Sequence, residues 1–70
     1  MEAVTDMKGC EIQSGQRVVV QHDDSLGIGI VTHFTGGSVV IQVTRPDECK
    51  RVINKNLAKY KILILDNGSN

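Results

Sequence analysis

The stretch IGIVTHFTGGSVVIQVT, residues 28–44, decides the fold. Two runs rich in Val, Ile, Thr and Phe flank Thr35-Gly36-Gly37, and adjacent glycines supply the positive φ angles that a tight hairpin connection needs. Residues 28–34 therefore predict one strand and residues 38–44 its antiparallel partner. In the second run Val39, Ile41 and Val43 alternate with Ser38, Val40, Gln42 and Thr44, so the first set is expected to face the core.

On the N-terminal side, RVVVQH (17–22) predicts a strand introduced by the turn Ser14-Gly15, with a loop over 22–27. On the C-terminal side, Arg45-Pro46-Asp47-Glu48 predicts a turn, because proline cannot donate to a ladder and the two acids suit exposed positions. CKRVI (49–53) reads as a short fourth strand with a basic outer face. NKNLA (54–58) is too short for a stable isolated α-helix and predicts one helical or 3-10 turn. KYKILIL (59–65) is the last strand, and DNGSN is a polar tail expected to be mobile. The fold class expected is all-β: a small five-stranded antiparallel SH3-like barrel with one short helical or 3-10 turn before the last strand. Closure is expected because seventy residues cannot cover an open five-stranded sheet with helices they do not possess. An OB-type barrel ranks second, since it needs a helix between its third and fourth strands and none can be placed there. The chain reads as a single domain over residues 1–70 with its core at about 8–65.

Apolar residues make up 40% of the sequence, enough to form a core, although a chain this short buries only about 60% of its unfolded surface. The formal net charge is zero, which argues against a protein whose main task is to coat nucleic acid or anionic membrane. The charges are unevenly placed. Glu2, Asp6, Glu11, Asp23 and Asp24 outweigh Lys8 and Arg17 in the first part, whereas the segment 45–61 is predominantly basic. No run approaches the roughly 18 apolar residues of a membrane span, and MEAVTDMKGCEIQ lacks the basic region and apolar run of a secretory signal. A cytoplasmic setting is the expectation, in which Cys10 and Cys49 remain free thiols.

The run GQRVVVQHDDSLGIGIV (15–31) resembles the opening of the KOW and Tudor-like branch of SH3-like barrels. Its elements are a turn Gly15 followed by a polar residue, then Val18 and Val20, a loop, and the unit Gly29-Ile30-Val31. DMKGCEIQSGQRVVV (6–20) is similar to the opening of small phage-encoded barrel proteins, in which an Asp-x-x-Gly-x-x-Ile lead-in precedes a Gly-Asp-x-Val strand; Gln16 stands where that pattern has Asp. Asn56-Leu57 followed by KYKIL is similar to the short turn and Lys-rich strand that close such chains. The phage-like resemblance implies a small accessory protein, acting on a host or viral protein in the host cytoplasm. The KOW-like resemblance implies nucleic-acid binding.

Candidate chemistry is sparse. Gly27-Ile28-Gly29 lacks the following helix and the third glycine of a phosphate-binding loop, so the two glycines read as a bend or bulge. His22, Asp23, Asp24 and His33, with Cys10 and Cys49, include the residue types of a zinc site but not its spacing, although His22 and His33 could lie on adjacent strands. Ser25 and Cys49 have no visible activating base. No enzyme activity, metal or cofactor is expected.

Binding is the remaining class. With Phe34 and Tyr60 as the sole aromatics, neither a polyproline groove nor a methyl-lysine cage can be built. The preferred reading is a protein partner met through Asp23, Asp24, Ser25 and Leu26 or through a sheet edge. The alternative is nucleic acid met by Arg45, Lys50, Arg51, Lys55, Lys59 and Lys61, joined by Arg17, with Lys59 and Lys61 on one strand face.

Overall fold

A computed structural model describes residues 3–67. The elements are β1 (Arg17–His22), β2 (Ser25–Thr35), β3 (Ser38–Arg45), β4 (Cys49–Asn54), α1 (Lys55–Lys61) and β5 (Ile62–Asp66). The strands form one sheet in the order β4-β3-β2-β1-β5, with every neighbouring pair antiparallel. The all-β class therefore holds. The expected closure does not: the sheet is open, and β4 and β5 are its two edges. Closure is not needed, because the inner face is covered by parts of the chain outside the sheet. Two pieces cover it: α1, which places Ala58 fully buried, and the N-terminal segment, which contributes Ile12 and packs Val4 alongside.

The core is built from alternate residues of the strands. Val18 and Val20 of β1, Val31 of β2, Val39, Ile41 and Val43 of β3, Ile53 of β4 and Ile62 of β5 cluster with Ile12 and Ala58. Each of these Val and Ile side chains contributes about 1.5–3 kcal/mol by leaving water. The expected inward set of β3 is confirmed. Val40, expected to face away, is also buried, set between Val52 of β4 and His33 of β2.

Strand β2 is longer than expected, eleven residues, and its pairing with β3 slips twice, between Ile28 and Gly29 and between Val31 and His33. At Gly29 a Cβ would stand 2.3 Å from the Gln42 carbonyl oxygen and 2.7 Å from the Val43 Cα. Only glycine admits so close an approach of two backbones, and the slip falls at this residue. The reading of Gly27-Ile28-Gly29 as a bend is thus explained by contact with β3.

Helix α1 is longer than expected. A single turn over 54–58 and a strand from residue 59 were expected, yet the helix runs to Lys61 and the strand starts at Ile62. Asn54 caps it, its Oδ1 accepting the Asn56 N–H at 2.8 Å. Ala58 anchors it against the sheet, and Lys59 and Lys61 stand in its last turn, where cations suit the helix dipole. The alternating look of KYKILIL comes from two elements meeting within it.

Order also reaches further toward the N-terminus than residue 8. Thr5 and Glu11 form a β-bridge, and the Ile12 N–H donates to the Val4 carbonyl at 2.8 Å. Of the tail expected at 66–70, Asp66 ends β5 and the Asn67 Oδ1 accepts from Gln16 Nε2 at 3.2 Å. Residues 68–70 lie outside the described residues.

Candidate functional site

Pairing of β1 with β2 continues out to His22 opposite Ser25. The expected loop over 22–27 is therefore a two-residue turn, Asp23-Asp24, with Ser25 and Leu26 already in β2. Asp23 adopts φ 54°, a left-handed conformation that Asp tolerates better than most residues. All four residues of the predicted tip are exposed, and Leu26 is 64% exposed. An apolar side chain this open at a hairpin tip contributes nothing to the core.

The β3–β4 turn lies at the same end of the sheet. Its Arg45–Pro46 peptide bond is cis. Between this turn and the β1–β2 hairpin is a depression of about 120 Å³, rimmed by Ser25, Leu26, Pro46, Asp47, Cys49 and Arg51 and floored by Val20, Gly27 and Val43. The structure thus brings half of the predicted tip, Ser25 and Leu26, against a residue of the predicted basic set, Arg51. The volume is below the roughly 300–1,000 Å³ of ligand sites, so it suits a single inserted side chain rather than a small-molecule substrate.

The basic residues do not form one stripe. Lys50 and Arg51 are consecutive in β4 and point to opposite faces: Lys50 is exposed, whereas Arg51 is half-buried on the inner face with Cys49 and Ile53. Lys55 begins α1, its N–H donating to the Gly37 carbonyl at 2.7 Å. Lys59 and Lys61 do not share a strand face, because both are helical; two residues apart on a helix is about 200° of rotation. Lys59 is exposed with its Nζ 5.3 Å from the Tyr60 ring centre, and Lys61 is half-buried. Arg45 and Arg17 lie elsewhere, lining a second depression of about 340 Å³ together with Ile28, Gly29, Ile30 and Thr44.

That second surface was not legible as a candidate. Ile28 and Ile30 stand 38% and 41% exposed on the outer face of β2, because Gly29 and Val31 take the inward positions. In a run as uniformly apolar as IGIV, only the glycines signal which residues turn outward.

The two edges of the sheet differ. The edge of β5 is closed by the N-terminal segment: the Met7 N–H donates to the Ile62 carbonyl at 2.9 Å, and the Asp6 Oδ2 accepts the Ile64 N–H at 2.9 Å. Asp6 is 1% exposed, and its Oδ1 also accepts the N–H groups of Lys8 and Cys10, each at 2.9 Å. Burial pushes its pKa up, but the three N–H donors and the Lys8 charge outweigh burial and hold the carboxyl below the usual carboxylate range. Among the described residues β4 has a neighbour on one side only.

His22 and His33 fall on adjacent strands but at opposite ends: the first pairs with Ser25, the second with Val40. Eight residues of β2 separate Ser25 from His33, on the order of 25 Å of strand. Cys10 is exposed and Cys49 half-buried, both as free thiols. Among the described residues, no three His, Cys, Asp or Glu side chains gather where they could hold a metal ion, and no helix is long and apolar enough to cross a membrane. Compared with models of protein families, with curated proteins and with solved structures, the chain matches none of them.

Proposed function

We propose that this chain is a small non-catalytic binding module of the SH3-like kind, a phage-type accessory protein that grips a protein partner at the β1–β2 hairpin end of its sheet. The SH3-like part of this reading is supported by the meander β1 to β4, the return of β5 beside β1, and the helix placed between β4 and β5. The observation that carries the partner contact is the open depression that follows the acidic turn Asp23-Asp24 in the chain, where the exposed apolar side chain of Leu26 shares a rim with Asp47 and Arg51. Exposed apolar groups rimmed by charge are the composition of a contact surface. The scatter of the cationic residues over both faces of β4 and the helix favours a protein over a nucleic-acid backbone, which calls for a continuous stripe.

The test is affinity capture with the intact chain after nuclease treatment, in parallel with Leu26→Ala. One stoichiometric protein held by the wild type and lost from the variant is the expected result. Recovery of nucleic acid alone, with a binding constant falling steeply as salt rises, would reverse the choice of partner.

A further inference from the structure

Building on the reading that this chain binds a protein, we propose that the free edge of β4 accepts an extended segment of the partner as a sixth, antiparallel strand. That segment carries an apolar residue opposite Val52 followed by two acidic residues opposite Arg51 and Lys50.

The two edges of the sheet are finished differently. A carboxylate and a backbone N–H seal β5, while among the described residues β4 keeps one side without a neighbouring strand. Native sheets commonly cover or distort an edge to avoid pairing with other chains. Strand β4 is not distorted: its pairing with β3 runs from Ser38–Asn54 to Val43–Cys49 without a slip.

Which groups are offered follows from the parity of the ladder. The Lys55 N–H donates to Gly37, so at two-residue steps Ile53, Arg51 and Cys49 turn their backbone groups toward β3. Lys50 and Val52 direct both N–H and carbonyl away from it, and Asn54 its N–H. Those outward groups are the hydrogen-bonding half of a strand-addition site.

The side chains state the complementary chemistry. Val52 is 57% exposed and lies directly opposite Val40 of β3, which is buried; an apolar side chain on the other flank of Val52 would extend that row across three strands. Lys50 on the outer face and Arg51 on the inner face call for acids at two consecutive positions. Glu48, just before the strand, bounds the acidic pair, so the residue facing it is neutral or basic. A second copy of the chain is a poor occupant: Cys49–Asn54 contains Lys50 and Arg51 and no carboxylate, so self-pairing would set two cationic strands side by side.

The probe is a blocked peptide of sequence Thr-Thr-Val-Glu-Glu-Thr-Lys, titrated at millimolar concentration into the isotope-labelled intact chain while backbone amide resonances are followed. The expected result is perturbation centred on the amides of Lys50, Val52 and Asn54. Binding should weaken about fivefold or more when both Glu are replaced by Lys, and that preference should shrink in Lys50→Glu, an exposed substitution that leaves the core untouched. Perturbation at 23–26 and 46–47 instead of β4, equal binding of the lysine peptide, displacement by a single-stranded oligonucleotide, or no perturbation at all would each overturn the inference. Only the first of these would leave a peptide-binding module with a different site; whether the chain binds a protein is decided separately by the Leu26→Ala capture.

Discussion

Asp6 is the residue whose removal tests the architecture most directly. Its carboxylate accepts three backbone N–H groups, two from its own loop and one from Ile64 of β5. In Asp6→Ala the Ile64 N–H, half-buried at the sheet edge, loses its partner, which costs about 1–3 kcal/mol. Lys8 and Cys10 are exposed, so water replaces the carboxylate there at about 0.5–1 kcal/mol each. The sum is roughly 2–5 kcal/mol, against a total stability of about 3.5–10 kcal/mol for a chain of this length. A melting temperature lowered by roughly 10–40 °C is the expected readout. Asp6→Asn keeps one acceptor oxygen and adds the pH signature. Because the folded pKa lies below the unfolded value of about 3.9, the carboxylate's stabilisation is complete above that value and is lost as pH falls through the folded pKa. Urea unfolding near neutral pH should therefore separate wild type from Asp6→Asn, and the gap should narrow as the pH falls below the ordinary carboxylate range and through the folded pKa, beneath which both side chains are neutral. A gap under about 0.5 kcal/mol at neutral pH, or one that persists unchanged in acid, would refute the assignment of Asp6 as a charged clasp on β5.

Other perturbations sort by burial and backbone approach. Gly29→Ala drives a Cβ into the Gln42 carbonyl at 2.3 Å and should cost about 3 kcal/mol or abolish folding, whereas Gly37→Ala, whose nearest contact is the Lys55 Cε at 4.0 Å, should stay within about 0.5 kcal/mol in the same denaturation assay. Ile41→Ala empties a fully buried site and should lose about 2–5 kcal/mol, with Val52→Ala on the exposed edge changing stability by less than about 1 kcal/mol. The Arg17–Asp66 pair, 3.5 Å apart and half-exposed on both sides, should prove nearly dispensable: Arg17→Ala is expected to shift the urea midpoint by no more than about 1 kcal/mol equivalent.

Much of the sheet is legible in the residues. RVVVQH is β1 to the residue, and Gly36-Gly37 with alternating Val39, Ile41 and Val43 fixes both the β2–β3 hairpin and the inward face of β3. What local pattern misses is long-range. The lead-in DMKGCEIQ has no strong periodicity, and its buried aspartate makes sense only once Ile64, 58 residues later, stands beside it. KYKILIL hides a helix end because Ala58 is buried by the sheet, a tertiary contact that overrides the strand-like alternation. The candidate site divides the same way: exposure of Asp23, Asp24, Ser25 and Leu26 follows from their place at a turn, but the approach of Leu26 to Pro46 and Arg51 depends on how two hairpins bend. The basic residues 45–61 are contiguous in sequence and dispersed in space, since strand parity sends Lys50 and Arg51 apart and the helix carries Lys59 and Lys61 away.

The clasp between Asp6 and Ile64 also links the segment before β1 to the last strand of the sheet. The loop it closes spans 58 residues, and closure entropy grows with loop length. The four-strand meander needs only short hairpin connections, so it can assemble as each segment follows the last. The clasp cannot: it requires both the first and the final elements to be present at once. Whatever holds or releases the first dozen residues therefore also decides whether the far margin of the sheet stays shielded from its neighbours.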